Sequence, residues 1–312
     1  MARDLCIEFP NAFYHVFSRG MNRQELFSDD EDNFIFLNQC RKAVKKYQIR
    51  IFAFCLMGNH YHLYLSTPNA NLARAMKFIN QSYAIYFLAK YPEKDGHVFR
   101  GRYKRKIVQD DVYSKTLINY IHANPVAAGV TESLSAYPWS SYASYLQKER
   151  RLDFIDYDWV LDQFSGNLKS FAKFHQDNVD SDWDPKQEAK AQIFLADNAF
   201  IKSICDSYVD FVQLDKKPVT GLKELKSIYN QEVIAQAIRS LDYNPQTNAK
   251  LSAYLLKEYT DTSFEEIGKI INKSMEATAK CVQRFRRLLA EDKELELEIR
   301  KVVEMSNVHI RP

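Results

Sequence analysis

The stretch CLMGNHYHLYLS, Cys55 to Ser66, carries the turn and second arm of a β-hairpin: Gly58 and Asn59 separate two β-rich runs, IRIFAFCLM and HYHLYLS. Side chains of a strand alternate between its faces, so His60, His62 and Tyr64 share one face and Tyr61, Leu63 and Leu65 the other. The second set is the core set. Two imidazoles then stand side by side on the opposite face, close enough to bind one ion through neutral ring nitrogens. The same spacing also fits a plainer reading, in which the pair caps a solvated sheet face. Imidazole suits Mn²⁺ or Zn²⁺ better than Mg²⁺, which prefers oxygen, so the metal reading calls for an oxygen ligand from elsewhere in the chain.

Outward from the hairpin, strand-like and helix-like segments alternate. AFYHVFSRG (Ala12 to Gly20) is β-rich and leads into a turn holding Arg19 and Arg23. DDEDNFIFLNQCRKAVKKY begins with acids and ends with lysines, matching the helix dipole at both ends. Asn69 to Lys90 is helical, with Asn69 or Asn71 as its cap. GHVFRGRYKRKIVQ is a basic strand, and DDVYSKTLINYIHANP a helix capped by Asp110 or Asp111 and ended by Pro125. The order βαββαβα defines an α+β fold, a ferredoxin/RRM-like antiparallel sheet with helices on one face. Three parts follow: residues 1–146 as the sheet domain, 147–220 as a mostly helical connector in which no chemistry is evident, and 221–312 as an all-α domain.

Bulk properties narrow the class. The 312 residues are 46% hydrophobic, ample for a core, and contain no apolar run of membrane-spanning length. Nothing in MARDLCIEFPNAFYHV has a signal peptide's pattern, so the expectation is a soluble cytoplasmic protein with no membrane partner. Five scattered cysteines (Cys6, Cys40, Cys55, Cys205, Cys281) form no CxxC pair and support neither a disulfide framework nor a zinc knuckle. A net charge of +3 is too small to imply nucleic acid by itself, but two local concentrations do.

The first is FRGRYKRK, where Arg100, Arg102, Lys104, Arg105 and Lys106 alternate with aromatics and no acid intervenes. As a strand it sends Arg100, Arg102 and Lys104 to one face, suited to tracking phosphates while bases stack on Phe99 or Tyr103; a lysine-guarded edge strand is the plainer alternative. Arg19 and Arg23 extend the path. The second is TSFEEIGKIINKSMEATAKCVQRFRRLL, a helix-turn-helix pattern. Ser263 and Glu266 form a capping box, Asn272 and Lys273 the turn, and the second helix carries Lys280, Arg284, Arg286 and Arg287. A helical bundle for protein contacts is the other reading. In the helix ending HANP, Tyr113, Leu117, Tyr120 and Asn124 form one stripe, either core or a phenol and an amide one turn apart near the sheet.

Taken in order, IEFPNAFYHVFSRG, FAFCLMGNHYHLYLSTP, GHVFRGRYKRKIV, YIHANPVAAGV and YPWSSYASYL resemble the REP-associated tyrosine transposases, relatives of the single-tyrosine HUH transposases, over about residues 7 to 146. The resemblance implies an HUH nuclease core in which His60 and His62 are metal ligands and Tyr61 the hydrophobic residue between them. It implies Tyr120, in YIHANP, as nucleophile, and Asn124 as third ligand to Mg²⁺ or Mn²⁺. The implied chemistry is cleavage and rejoining of single-stranded or hairpin DNA through a 5′-phosphotyrosine. Residues of about 249–303, including KLSAYLLKEYTD, resemble the DNA-binding domain of the bacterial replication initiator DnaA, which implies duplex binding. That family reads bases through Asp-His-Thr-Thr, whereas this chain has Met275, Glu276, Ala277 and Thr278, of which only Thr278 corresponds. Two other functions remain compatible with these residues: a domesticated DNA-binding regulator that does not cut, and a metal-dependent phosphodiesterase that uses water.

Overall fold

The computed structural model describes residues 3–4, 6–210, 214, 219–240, 245–260, 262–293, 295 and 299. Its elements run β1 (Arg3–Asp4), β2 (Ala12–Arg19), α1 (Asp30–Tyr47), β3 (Arg50–Met57), β4 (His60–Thr67), α2 (Leu72–Lys90), β5 (Lys104–Val108), α3 (Asp110–Ala127), α4 (Tyr142–Leu146), α5 (Tyr157–Asp162), α6 (Leu168–Asp177) and β6 (Phe194–Leu195). Then follow α7 (Asn198–Tyr208), β7 (Val219–Thr220), α8 (Leu222–Ser240), α9 (Pro245–Tyr259), α10 (Phe264–Ile270) and α11 (Met275–Glu291). Two compact units result, residues 6–196 and residues 1–5 with 197–312.

In the first unit the sheet order is β3-β4-β2-β5-β6. All neighbours are antiparallel except β6, which extends the β5 edge in parallel. Tyr61, Leu63 and Leu65 face α1 and α2, as the hairpin predicts. The Tyr61 ring lies 4.7 Å from that of Phe36, and its hydroxyl donates to Asn80 Oδ1 at 2.8 Å. The other face departs from expectation, because α3 covers it and helices therefore flank the sheet on both sides. Tyr64 is fully buried there, its hydroxyl donating to Ser114 Oγ of α3. The unbroken apolar run IRIFAFCLM agrees with this, since strands covered on both faces lose their alternation.

The helix ends also refine the sequence reading. Asn71 precedes α2 without a side-chain cap bond; its amide donates instead to Tyr47 O at 2.8 Å, joining the start of α2 to the end of α1. Gln109, not Asp110 or Asp111, stands at the N-cap of α3, and the helix runs two residues past Pro125, which has no N–H to give to the preceding turn. Residues 147–196, expected as a connector, pack in the same unit as the sheet.

A buried polar chain fixes α3. His175 Nδ1 lies 2.9 Å from Phe171 O, and a carbonyl only accepts, so that nitrogen carries the proton. His175 Nε2 must then accept from His122 Nδ1 at 2.9 Å, and His122 Nε2 from the Ser141 hydroxyl at 2.8 Å. Ser141 Oγ in turn accepts from Phe54 N of β3 at 2.9 Å. The three side chains are fully buried, and the Ser141 hydroxyl also has Phe54 O as a longer acceptor at 3.3 Å. The chain thereby links β3, α3 and α6.

In the second unit β1 and β7 pair in parallel, and α9, α10 and α11 pack together. The Ser263–Glu266 capping box opens α10, and residues 271–274 turn into α11, with Asn272 at φ 54°. A Cβ on Gly268 would stand 2.5 Å from Lys273 O, so α10 meets the turn as closely as a backbone without a side chain allows. The expected helix beyond residue 291 lies partly, and residues 300–303 wholly, outside the described residues.

Ser141→Ala should lower stability by about 2 kcal/mol, because it strands a buried N–H and a buried ring nitrogen together. Urea denaturation of the full chain checks this; an unchanged midpoint would mean that the chain does not hold α3.

Candidate active site

Strand register assembles the site. On β2, Arg19 lies opposite His60, Phe17 opposite His62 and His15 opposite Tyr64, so the α3-facing side of β2 and β4 is a patch of imidazoles and aromatics. The His60 and His62 rings stand 5.2 Å apart and nearly perpendicular, at 83°. Nδ1 of His60 lies 2.8 Å from Asn59 Oδ1, which only accepts; the proton therefore sits on Nδ1 and the Nε2 lone pair is available. Nδ1 of His62 lies 2.8 Å from His15 Nε2, and His62 Nε2 offers its lone pair when Nδ1 is the donor in that bond. Side chains that orient a ring through its far nitrogen are the support that metal-binding histidines have.

From above, α3 lowers Tyr120 onto this patch. Its half-buried ring meets His62 edge-on at 5.8 Å and His15 at 6.0 Å. Leu117 of the same stripe is fully buried, whereas Tyr113 is only half-buried. One turn after Tyr120, Asn124 Nδ2 donates back to Tyr120 O at 2.7 Å, which uses one of the amide's two N–H groups. Among the described residues no group of three or more His, Cys, Asp and Glu side chains is placed to hold an ion. The two imidazoles stand side by side on the sheet, and the Asn124 amide is bonded to Tyr120 on the overlying helix.

Burial sets the protonation states. It lowers His60 to about 4, with help from the Lys186 and Arg19 charges, and His15 to about 3, with help from Lys106 and Lys186. His62 is driven well below its ordinary value, first by burial and then by His15, His60 and Lys186. All three rings are therefore neutral near pH 7, the state that offers a lone pair to a cation. Tyr120 is pushed upward by burial and by the Asp184 carboxylate, against the Asn124 hydrogen bond, so the phenol keeps its proton.

Sequence reading missed four contributors. His15 was hidden because only the β2–β4 register brings it to His62. Trp183, whose ring lies 5.9 Å from Tyr120, and the charged pair Asp184 and Lys186 belong to the stretch expected to hold no chemistry. A tryptophan in the polar run DSDWDPK was the one available signal.

The basic residues divide. Arg19 borders His60, and exposed Arg23 ends the following turn at φ 62°. Arg100 and Arg102 are exposed but precede β5, which starts only at Lys104, so the predicted single strand face does not exist; Arg100 N instead donates to Arg19 O at 2.9 Å. Lys104 is exposed opposite Phe17, and Arg105 lies over the Tyr103 ring at 5.7 Å. Lys106 is buried, with its ammonium donating to Gln192 O, and is a structural residue of the β5 edge. On α11, Lys280, Arg284 and Arg287 are exposed, while Arg286 is paired with Glu258 of α9. Thr278 is fully buried and donates to Ser274 O at 2.8 Å, so it cannot read a base edge.

Residues 8–124, the segment holding His60, His62, Tyr120 and Asn124, match the model of the family described as IS200-like transposases. Among solved structures, a REP-associated tyrosine transposase bound to a REP hairpin is similar at 14% identity and TM-score 0.42, over 51% of this chain and 96% of that one. A protein of Deinococcus radiodurans R1, described as a candidate transposase, is similar at 17% identity and TM-score 0.29, over 40% and 95%. No curated protein matches. No described helix is long and apolar enough to cross a membrane.

A pH dependence of stability follows from the buried rings. His15, His62, His122 and His175 all have depressed values, His175 near 4 because burial outweighs its bond to Phe171 O. The unfolded chain takes up these protons near pH 6.5 while the folded chain refuses them, so stability falls as pH drops below about 6.5, by about 1.4 kcal/mol per pH unit for each ring. Denaturation midpoints measured at about pH 7 and about pH 5 should differ strongly; equal midpoints would contradict the neutral rings.

Proposed function

We propose that the chain is a DNA strand transferase that cuts and rejoins single-stranded or hairpin DNA at palindromic repeats. The observation that carries this reading is the placement of Tyr120 against His62, with His60 beside it, inside the segment that matches IS200-like transposases. In the cleavage step Tyr120 Oη attacks phosphorus, the bond from phosphorus to the 3′ oxygen breaks, and the phenol's proton ends on that oxygen. The products are a 5′-phosphotyrosine and a free 3′-OH. Because the phosphodiester's energy is kept in the covalent link, a second 3′-OH is joined by the reverse reaction without ATP.

His60 and His62 fit Mn²⁺ or Mg²⁺ as neutral Nε2 donors, with the Asn124 amide oxygen as third ligand. A cation bound there polarises a phosphoryl oxygen and offsets charge in the transition state. His15 and Asn59 orient the two rings, and α3 sets the attack direction of Tyr120. Arg19, Arg23, Arg100, Arg102 and Lys104 are the residues for the strand's phosphates. The second unit binds duplex DNA through Lys280, Arg284 and Arg287 of α11 and helps to choose the site. Its base preference does not come from Thr278.

Incubation with Mn²⁺ and labelled hairpin DNA, followed by denaturation, should leave label on the wild-type protein. Tyr120→Phe should leave none while still binding DNA, and His60→Ala should lose the metal-dependent reaction. Product without adduct would make the chain a hydrolase, and neither product nor adduct a binder.

For the second unit, a combined Arg284→Gln and Arg287→Gln variant should reduce the salt dependence of duplex binding by a slope of about 2, and Arg286→Gln should change it little. An unchanged slope in the double variant would assign α11 to protein contacts.

A further inference from the structure

Residues 178–186 form a strap pinned at both ends to the elements that carry the site. At its start Asn119 of α3 donates through Nδ2 to Asn178 O at 2.8 Å, and Asn178 Nδ2 donates to Phe174 O of α6 at 2.8 Å. Beyond its end Ile107 N of β5 donates to Ile193 O at 2.6 Å, and β6 joins the sheet. Between these anchors Trp183 sets its ring edge-on to Tyr120 at 5.9 Å, and Pro185 is buried. Asp184 folds the strap into a turn: its Oδ1 accepts from Lys186 N at 2.8 Å, and its carbonyl accepts from Gln187 N at 3.0 Å and Glu188 N at 3.1 Å. That turn leaves the Lys186 side chain exposed, three residues from the ring that touches the phenol.

The charges explain why such a residue is needed. Tyr120 has the Asp184 carboxylate in its neighbourhood, which opposes both a phenolate and an approaching phosphate. The lysine on the same turn lies within electrostatic reach of His15, His60 and His62, and the strap holds it three residues from the Trp183 ring that meets the phenol. As the phenol loses its proton and the new oxygen–phosphorus bond forms, negative charge on the phosphoryl group grows. A fixed cation at that gap offsets Asp184 in the ground state and the added charge in the transition state.

We infer that Lys186, presented by the strap, binds the scissile phosphate in cis, and that Trp183 is the positioning residue that steadies the ring of Tyr120. The inference rests on the strand-transfer reading of the site. Neither residue belongs to the segment matched by the family model, which ends at residue 124.

The test compares wild type with Lys186→Gln, Lys186→Arg, Trp183→Ala and Trp183→Phe in the full chain. Binding of a labelled hairpin with a single-stranded flank is measured against salt, and adduct formation in a single turnover at saturating DNA. Lys186→Gln should lower the salt slope of binding by about 0.7, the value for one lost contact on single-stranded DNA, and slow adduct formation at least about ten-fold; Lys186→Arg should restore both. Trp183→Ala should slow the adduct without changing the slope, and Trp183→Phe should recover the rate. A wild-type slope in Lys186→Gln overturns the role of Lys186, and a wild-type rate in Trp183→Ala that of Trp183. Wild type that forms no adduct refutes strand transfer, and the salt slope still decides whether Lys186 touches the phosphate.

Discussion

The position of Tyr120 depends on the buried hydrogen-bond chain Phe54–Ser141–His122–His175–Phe171. His122 follows Tyr120 by two residues on α3, which is about 200° of helix rotation. Holding the imidazole against Ser141 and His175 therefore turns the phenol to the other side, over His15 and His62. A helix held by apolar packing alone could rotate or slide by a fraction of a turn at small cost. The chain forbids this, because any slip leaves buried polar atoms unpaired, at about 1–3 kcal/mol each. The same links place α6, whose continuation is the strap with Trp183 and Lys186.

Burial keeps the imidazoles neutral, ready for a cation, and keeps the phenol protonated, unready to attack. Both effects come from α3 covering a sheet face that would otherwise be wet. The cost is a nucleophile that needs positive charge from outside its own helix. On the reading developed above, that charge is the bound cation together with Arg19 and Lys186.

What the sequence made legible was local. The order βαββαβα, the shared face of His60 and His62, and the Ser263–Glu266 box all follow from periodicities or short-range chemistry within a few residues. The run IRIFAFCLM also held the information that both sheet faces are covered, though alternation in HYHLYLS pointed to a solvated one. Contributors fixed by distant pairing were illegible: His15 needs the β2–β4 register, and Trp183 and Lys186 need the strap. Lys106 fails as a DNA contact because β6 and Gln192 close over an edge that its own strand does not predict. Thr278 and Arg286 were equally illegible: the first is a buried residue of α11 bonded to Ser274 O, and the second is paired with Glu258.

The central claim is that His60, His62 and Tyr120 converge on one ion-sized gap, and a crystal of the protein grown with Mn²⁺ addresses it directly. The account predicts one anomalous scattering peak bonded to Nε2 of both histidines, with the Tyr120 hydroxyl facing it. A peak elsewhere, or a phenol turned away from the histidines, would contradict the account.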